Sequence, residues 1–404
     1  MKYLVILADG MADYSIPELD NQTPLQYANT PNIDFMAKNA VIGKAATIPD
    51  GYPPGSDVAN LAVMGYDPCR YYTGRSPLEA VSMGVKLDDN DLALRCNLVT
   101  LSEEEGYSDK SMLDYSSGEI SSGESAELIA VLQKELGNDT FAFYPGISYR
   151  HLMIWKNGTG RNLSLTPPHD ISDRKITAYL PGGADGKYLL DLMIKSEKLL
   201  KDHPVNIARR ASNNNPANSA WLWGEGKKPS LPGFEDKYML KGSVVSAVDL
   251  VRGLGISAGL KPVLVEGATG SIETNFKGKA RAALDELKNG QDFVYLHIES
   301  PDEAGHQGNL QRKIWSIEQI DKEVVGLVLD ELNDFADIRI MVLPDHPTPL
   351  STRTHSSNPV PFMIYDKNSP EKDGVKYYNE FSASKGIFFE NGYQLMDYFI
   401  RDRK

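Results

Sequence analysis

Two kinds of hydrophobic pattern alternate along this chain. Lys2–Ala8 is an almost unbroken apolar run that stops at Asp9-Gly10. A run this short, without polar alternation, suits a strand buried on both faces. Phe293–Ile298, Ile338–Leu343 and Pro361–Tyr365 repeat it. Between such runs, Lys277–Lys288 and Leu310–Leu332 carry helical patterns, and Val244–Leu254 reads as an apolar helix. Strands alternating with helices predict an α/β core with a mainly parallel sheet. In such sheets the sites gather at the carboxyl ends of the strands.

The middle of the chain follows another rule. It holds polar turns such as Ser116–Gly123, Pro/Gly punctuation at Thr166–Pro168 and Pro181–Gly183, and short apolar runs such as Arg150–Trp155. These features predict a smaller α+β domain, residues 97–234, inserted into a core built from residues 1–96 and 235–404.

Composition narrows the function. The chain has 404 residues, 41% apolar and 24% charged, which fits a globular enzyme and not a disordered chain. Its formal charge of −13 argues against general binding to nucleic acid or anionic membranes, which needs clustered Lys and Arg. A small anionic substrate needs only a few local cations and stays open. Two cysteines, Cys69 and Cys96, cannot build a disulfide framework or a Cys-rich zinc module. With no signal-like segment and no apolar stretch long enough to span a bilayer, the expected location is the cytoplasm.

Chemistry-bearing residues stand at the ends of the predicted core strands. Asp9 follows the first. Asp302 and His306 follow Phe293–Ile298 at i, i+4 spacing, which puts both on one helical face. Asp345 and His346 follow Ile338–Leu343, and His355 lies nine residues on. Taken singly, each Asp reads as a turn or helix-cap residue, and His297, inside an apolar strand, reads as a core histidine. Taken together, three carboxylates and three imidazoles suit two divalent cations with mixed oxygen and nitrogen ligands. The turn-rich loop Pro49–Asn60 then enters a helical pattern with Ser56 at its start. Ser56 there is either a plain helix cap or a nucleophile whose attached phosphate the helix terminus and a divalent ion would favour.

At this point a family resemblance appears. Leu7–Gly10, Pro54–Asn60, Pro301–His306, Pro344–Pro349 and Thr354-His355 resemble motifs of the archaeal-type, cofactor-independent phosphoglycerate mutases, members of the alkaline phosphatase superfamily. Gly65–Pro68, Thr73–Arg75 and Glu266–Gly270 match as well, so the resemblance spans nearly the whole chain. It implies an alkaline-phosphatase-like core and two metals, typically Mn²⁺, Mg²⁺, Zn²⁺ or Co²⁺. Asp9, Ser56, Asp345 and His346 would hold one ion, and Asp302, His306 and His355 the other. Ser56 would carry the phosphoryl group between the 3- and 2-positions of glycerate. Arg75, Arg150 and Arg209 match family positions and are expected to bind the substrate's phosphate and carboxylate. Arg210, His151 and Lys241 are further candidates, for which a purely structural or surface role is equally open.

The chain also departs from that pattern. Leu113–Gly118 and Trp221–Gly226 lack arginines that the mutases carry there. Pro344–Pro349 and Ile298–His306 are also similar to a bacterial branch proposed to phosphorylate homoserine. In that alternative Asp114 would face the amino acid's ammonium. A phosphatase on the same core is a further alternative.

Overall fold

The computed structural model describes residues 1–160, 162–370 and 374–400. The chain forms two compact units: residues 1–72 with 230–404, and residues 73–229.

The first unit is built on an eight-stranded sheet. Its order is Ile387–Phe389, Ala40–Ala45, Val360–Asp366, Ile338–Leu343, Lys2–Ala8, Phe293–Ile298, Gly242–Val245 and Lys261–Val263. Lys2–Ala8 lies at the centre, parallel to Ile338–Leu343 on one side and to Phe293–Ile298 on the other. Leu7 pairs with Leu343 and Ala8 with Ile298, so the three strands end level with one another. That register brings Asp9, Glu299 and Pro344 out on a single edge. All eighteen side chains from Tyr3 to Ala8, Phe293 to Ile298 and Ile338 to Leu343 are buried, including Arg339, which pairs with Asp366 at 3.0 Å. This accounts for the lack of alternation in the sequence.

The sheet is mainly parallel, as expected, with Val360–Asp366 antiparallel to both of its neighbours. Two expectations are corrected here. Val244–Leu254 is not one helix: Gly242–Val245 is a strand and the helix is Asp249–Ser257. The β-branched pair Val244-Val245 packs into the sheet, and Ser246 turns the chain. Leu310–Leu332 is interrupted by a π-helical stretch, Ile320–Val325. There Asp321 turns inward, accepting from the Ile33 N–H at 2.7 Å and the Asn32 side chain at 2.9 Å. Such bulges put one extra residue into a turn, here a buried acid that caps the Pro31–Ala37 helix.

The second unit holds a mainly antiparallel five-stranded sheet, with Leu92–Leu101 between Arg150–Trp155 and Ser219–Lys227. Helices Ser122–Leu136 and Gly186–Leu200 bury their apolar stripes on it around Leu94, Leu98, Met153 and Leu222. The unit begins at Thr73, earlier than the expected boundary at residue 97. The reason is pairing: Leu92–Asn97 are ladder partners of Arg150–Trp155, and Ser76–Ser82 packs against the same sheet through Ala80. No helix among the described residues is long and apolar enough to cross a membrane.

Candidate metal centre and nucleophile

The level strand ends assemble a buried acidic cluster within the first unit. Asp9, Asp302 and Asp345 are all buried, as is His346. Ligand atoms of Asp9, Asp345 and His346 lie within 4.8 Å of one another, and so do those of Asp302, His346 and His355. His346 belongs to both groups. Its Nε2 is 3.4 Å from Asp345 Oδ2, 3.7 Å from Asp9 Oδ1 and 3.1 Å from Ser56 Oγ. Ser56 opens the helix Ser56–Val63, half-buried, as its position in the sequence predicts.

Hydrogen-bond logic fixes which atoms of this cluster are spare. The Asp9 carboxylate is the acceptor at His297 Nε2, 2.9 Å from Oδ2, so the neutral ring donates there. His297 Nδ1 then accepts from Ser246 Oγ at 3.1 Å, and Ser246 Oγ accepts in turn from the Val248 N–H at 3.0 Å. Burial holds His297 neutral, pushing it down to about 3. Asp9 Oδ2 is therefore satisfied, whereas Asp9 Oδ1 is buried with no hydrogen-bond partner among the described residues. Burial, then the charges of Asp345 and Asp302, raise Asp9 well above the usual carboxylate range. A buried carboxylate oxygen without a donor, among like charges, is a place where a cation or a proton fits.

The histidine pair shows the same deficit. His306 Nδ1 donates to the Arg353 carbonyl at 3.0 Å and His355 Nδ1 to the Pro54 carbonyl at 3.3 Å. As neutral rings both would present Nε2 lone pairs, yet those two atoms are 2.9 Å apart. They also lie 3.3 and 3.4 Å from the Asp302 oxygens. Such convergence needs a positive centre, a proton or a metal ion. Without metal, the hydrogen bond to Asp302 raises His306 to about 9. Oxygen and imidazole donors in this mixture fit Mn²⁺, Zn²⁺ or Co²⁺ well.

Several of the residues that orient the cluster were not predicted from the sequence. Asn60 is fully buried and donates to Asp345 Oδ2 at 2.9 Å and to the Ser56 carbonyl at 2.8 Å. Its own oxygen accepts from Tyr295 at 2.6 Å. Thr348 Oγ1 donates to Asp302 Oδ1 and lies 3.3 Å from His346 Nδ1. His297, read as a core histidine, is one, but it also orients Asp9.

The expected substrate cations meet mixed fates. In the second unit, Arg75 and Arg95 share the carboxylate of Glu79, with Arg75 Nε at 3.1 Å and Arg95 Nε at 2.9 Å. Arg95 lies over Trp223 at 4.8 Å, and His169 packs edge-on to the same ring. Burial, then the charges of Asp170, Arg95 and Arg75, set the His169 pKa, with a net shift below its usual value. Arg150 is exposed, over the Tyr149 ring at 5.3 Å. Arg209 is not poised on a surface: it is buried, donating to Asn215 O, Ser117 O and Glu124 at 2.8, 2.6 and 2.9 Å. Arg210 bonds the Lys201 carbonyl at 2.8 Å. His151 is buried, with Nδ1 accepting from the Gly146 N–H at 3.0 Å and Nε2 unpartnered. Lys241 precedes the Gly242–Val245 strand and accepts at its carbonyl from Asp292 and Phe293. Because that strand is parallel to Phe293–Ile298, Lys241 sits at the amino edge of the sheet, opposite the cluster. It is removed from the candidate site.

Comparison with known proteins agrees with this geometry. A protein of Geobacter sulfurreducens named "Probable 2,3-bisphosphoglycerate-independent phosphoglycerate mutase" is 51% identical, over 98% of this chain and 99% of its own. The chain belongs to this mutase family. The model of the family, described as 2,3-bisphosphoglycerate-independent phosphoglycerate mutase, matches residues 37–206. The mutase of that name from Methanosarcina barkeri is 49% identical over 96% of each chain. Among solved structures, the PH0037 protein from Pyrococcus horikoshii is similar with a TM-score of 0.84 and 30% identity, covering 100% of this chain and 98% of that one. Family membership thus runs through both units, and the cluster built from both ends of the chain lies within the matched length.

Proposed function

We propose that this chain interconverts 3-phosphoglycerate and 2-phosphoglycerate through a phosphoserine at Ser56. The observation that carries the reading is the placement of a half-buried serine hydroxyl, at a helix start, 3.1 Å from His346 in a cluster short of positive charge. Asp9, Ser56, Asp345 and His346 would hold one divalent ion, and Asp302, His306 and His355 a second. Such ions, Mn²⁺ being the first to try, supply Lewis acidity that makes the Ser56 alkoxide accessible and offsets phosphoryl charge.

The chain's own residues do the rest. Ser56 Oγ attacks phosphorus, the bond from phosphorus to the C3 oxygen breaks, and that oxygen takes a proton. The 2-hydroxyl oxygen of the retained glycerate then attacks the phosphoserine, loses its proton and frees Ser56. The backbone N–H groups at the start of Ser56–Val63 favour the phosphate there. Asn60 fixes the Ser56 carbonyl and Asp345 together. In the second unit, Arg75, Arg95 and Arg150 are the guanidiniums proposed to hold substrate anions, while Arg209 braces the loop at Ser117. The homoserine kinase reading lacks such support. Asp114, the carboxylate offered to an ammonium, already accepts from Ser116, Gly118 and Asn215. We also place the enzyme in the cytoplasm, in keeping with free thiols at Cys69 and Cys96.

The test is conversion of 3- to 2-phosphoglycerate with no nucleotide and no bisphosphoglycerate, followed by phosphorus NMR with labelled free glycerate present. Turnover without label in the product is expected, lost on chelation and restored by Mn²⁺. Label entering the product, or ATP consumption that depends on homoserine, would overturn the mutase reading.

A further inference from the structure

Lys313, on the helix Leu310–Gln319, is fully buried, and the reaction above assigns it nothing. Its Nζ donates to Asp13 Oδ2 at 2.7 Å, to the Thr348 carbonyl at 2.7 Å and to the Ala12 carbonyl at 3.4 Å. An ammonium has three hydrogens, and these acceptors use all of them. Asp13 in turn accepts from the Tyr14 N–H at 2.7 Å and the Leu350 N–H at 3.2 Å. The Thr348 N–H reaches the Ala12 carbonyl at 3.3 Å. One cation therefore fastens the loop after Lys2–Ala8 to the loop after Ile338–Leu343. Each of these loops carries candidate ligands, Asp9 on one and Asp345 with His346 on the other.

A buried ion pair is an inefficient way to gain stability, since apolar packing of equal volume does as well or better. Its use here is explained by what Thr348 does at its other end. Thr348 Oγ1 gives its single hydrogen to Asp302 Oδ1, so the His346 ring 3.3 Å away must donate from Nδ1 and keep Nε2 as a lone pair. Thr348 also has little room to move. A Cβ built on Gly10 would stand 2.6 Å from Thr348 Oγ1, and one on Gly305 would stand 2.5 Å from the Thr348 carbonyl. Gly10 has φ +64°, so a side chain there is excluded on backbone grounds as well.

We propose that Lys313 is a positioning residue of the acidic centre. By anchoring the Thr348 carbonyl, it sets Thr348 Oγ1 against Asp302 and His346, holding one carboxylate and one imidazole in their ligating orientation. This inference rests on the metal reading given above. Outer partners of this kind typically change metal affinity 10–100-fold.

The test is calorimetric titration of Mn²⁺ into four metal-free proteins, each first shown to be folded by circular dichroism and thermal melting. They are the unaltered chain, Lys313→Met/Asp13→Asn, Thr348→Val, and the three substitutions combined. Removing Lys313 and Asp13 together leaves neither charge buried alone. About 10–100-fold weaker binding is expected in both partial variants. The combined protein should bind no worse than Thr348→Val, because both changes act through one hydroxyl. Unchanged affinity in the Lys313→Met/Asp13→Asn protein, or effects that add fully, would overturn the inference and leave the metal centre standing. Absence of Mn²⁺ uptake by the unaltered chain would overturn the metal reading, and this inference with it. Should the paired variant not fold, Lys313→Arg, which keeps the charge but moves its donors, carries the same expectation and the same refutation.

Discussion

The strand-end cluster of the first unit and the core of the second treat buried charge in opposite ways, although the first unit also holds matched pairs such as Lys313 with Asp13. In the first, Asp9, Asp302 and Asp345 face one another at the strand ends with imidazoles beside them, and Asp9 Oδ1 has no hydrogen-bond partner among the described residues. In the second, the buried charges are matched locally: Arg209 with Glu124 at 2.9 Å, Lys156 with Asp91 at 2.7 Å, Lys110 with Glu197 at 3.5 Å. The acids register the difference. Burial and neighbouring carboxylates push Asp9 well up, whereas Arg95 and Arg75 outweigh the burial of Glu79 and draw it down to about 2. The cluster of the first unit holds an excess of negative charge that a proton or an added cation relieves. The second unit spends opposite charges on holding a shape. Unrelieved charge is a mark of a ligand site, and that is why the proposed chemistry is placed in the first unit.

The sharpest way to break this contrast is to remove the one neutral nucleophile from the charged cluster. Ser56→Ala should keep the fold and lose turnover by about four to six orders of magnitude, because the loop Pro49–Asn60 offers no second hydroxyl beside His346. Mass mapping after incubation with 3-phosphoglycerate should find the phosphate on Ser56 in the unaltered enzyme. Phosphate on a histidine, or near-normal turnover of the variant, would show that the cluster works by another route.

A matched charge should behave differently. Arg209→Ala removes three hydrogen bonds and leaves the buried Ser117 carbonyl unpaired. About 3 kcal/mol of destabilisation is expected, seen as a shift in the urea midpoint. If stability is unchanged and only KM rises, Arg209 is a substrate contact after all, and the second unit is less self-contained than it looks.

How much of this was legible in the sequence follows from the same contrast. The core strands are readable because burial on both faces erases alternation, and most of the candidate ligands are noticed because they stand just after those strands. The sequence could not show register. Only the pairing of Leu7 with Leu343 and Ala8 with Ile298 brings residues almost 300 positions apart to one edge. Lys241, for which a surface role is equally open in the sequence, is set apart from the cluster only by the direction of the Gly242–Val245 strand. Asn60, Thr348 and Lys313 were missed because polar residues that bond inward carry no periodic signal. Arg209 is a candidate in the sequence because it matches a family position, and its partners, two main-chain carbonyls and Glu124, are visible only in the fold.

A pH experiment sharpens the comparison inside the second unit, where His151 is the exception to local matching. Burial lowers His151 to about 3, and its Nδ1 already accepts from Gly146. The unfolded chain takes up a proton near pH 6.5, while the folded one does not until about 3. Its stabilising contribution is therefore full above pH 6.5 and is lost as pH falls towards 3. Relative to His151→Gln, the unaltered protein should lose about 2 kcal/mol between pH 7 and pH 5, measured by urea unfolding at each pH. A flat difference would mean that the imidazole takes up its proton in the folded state as readily as in the unfolded chain, and a difference that grows in favour of the unaltered protein would mean that it has an anionic partner.

The smallest effect is expected at Lys241, and its smallness is informative. The side chain is exposed, and the residue lies beside Asp292 at the amino edge of a sheet whose ligands all project from the carboxyl edge. Parallel strands give the two edges different roles: the carboxyl ends receive the loops that carry function, and the amino ends do not. Lys241→Ala should thus change stability by no more than about 0.5 kcal/mol and leave both kcat and KM for 3-phosphoglycerate where they were. A tenfold loss of turnover would require the substrate, or a residue that moves with it, to reach across the whole depth of the sheet. The direction of the strands would then no longer tell site from scaffold.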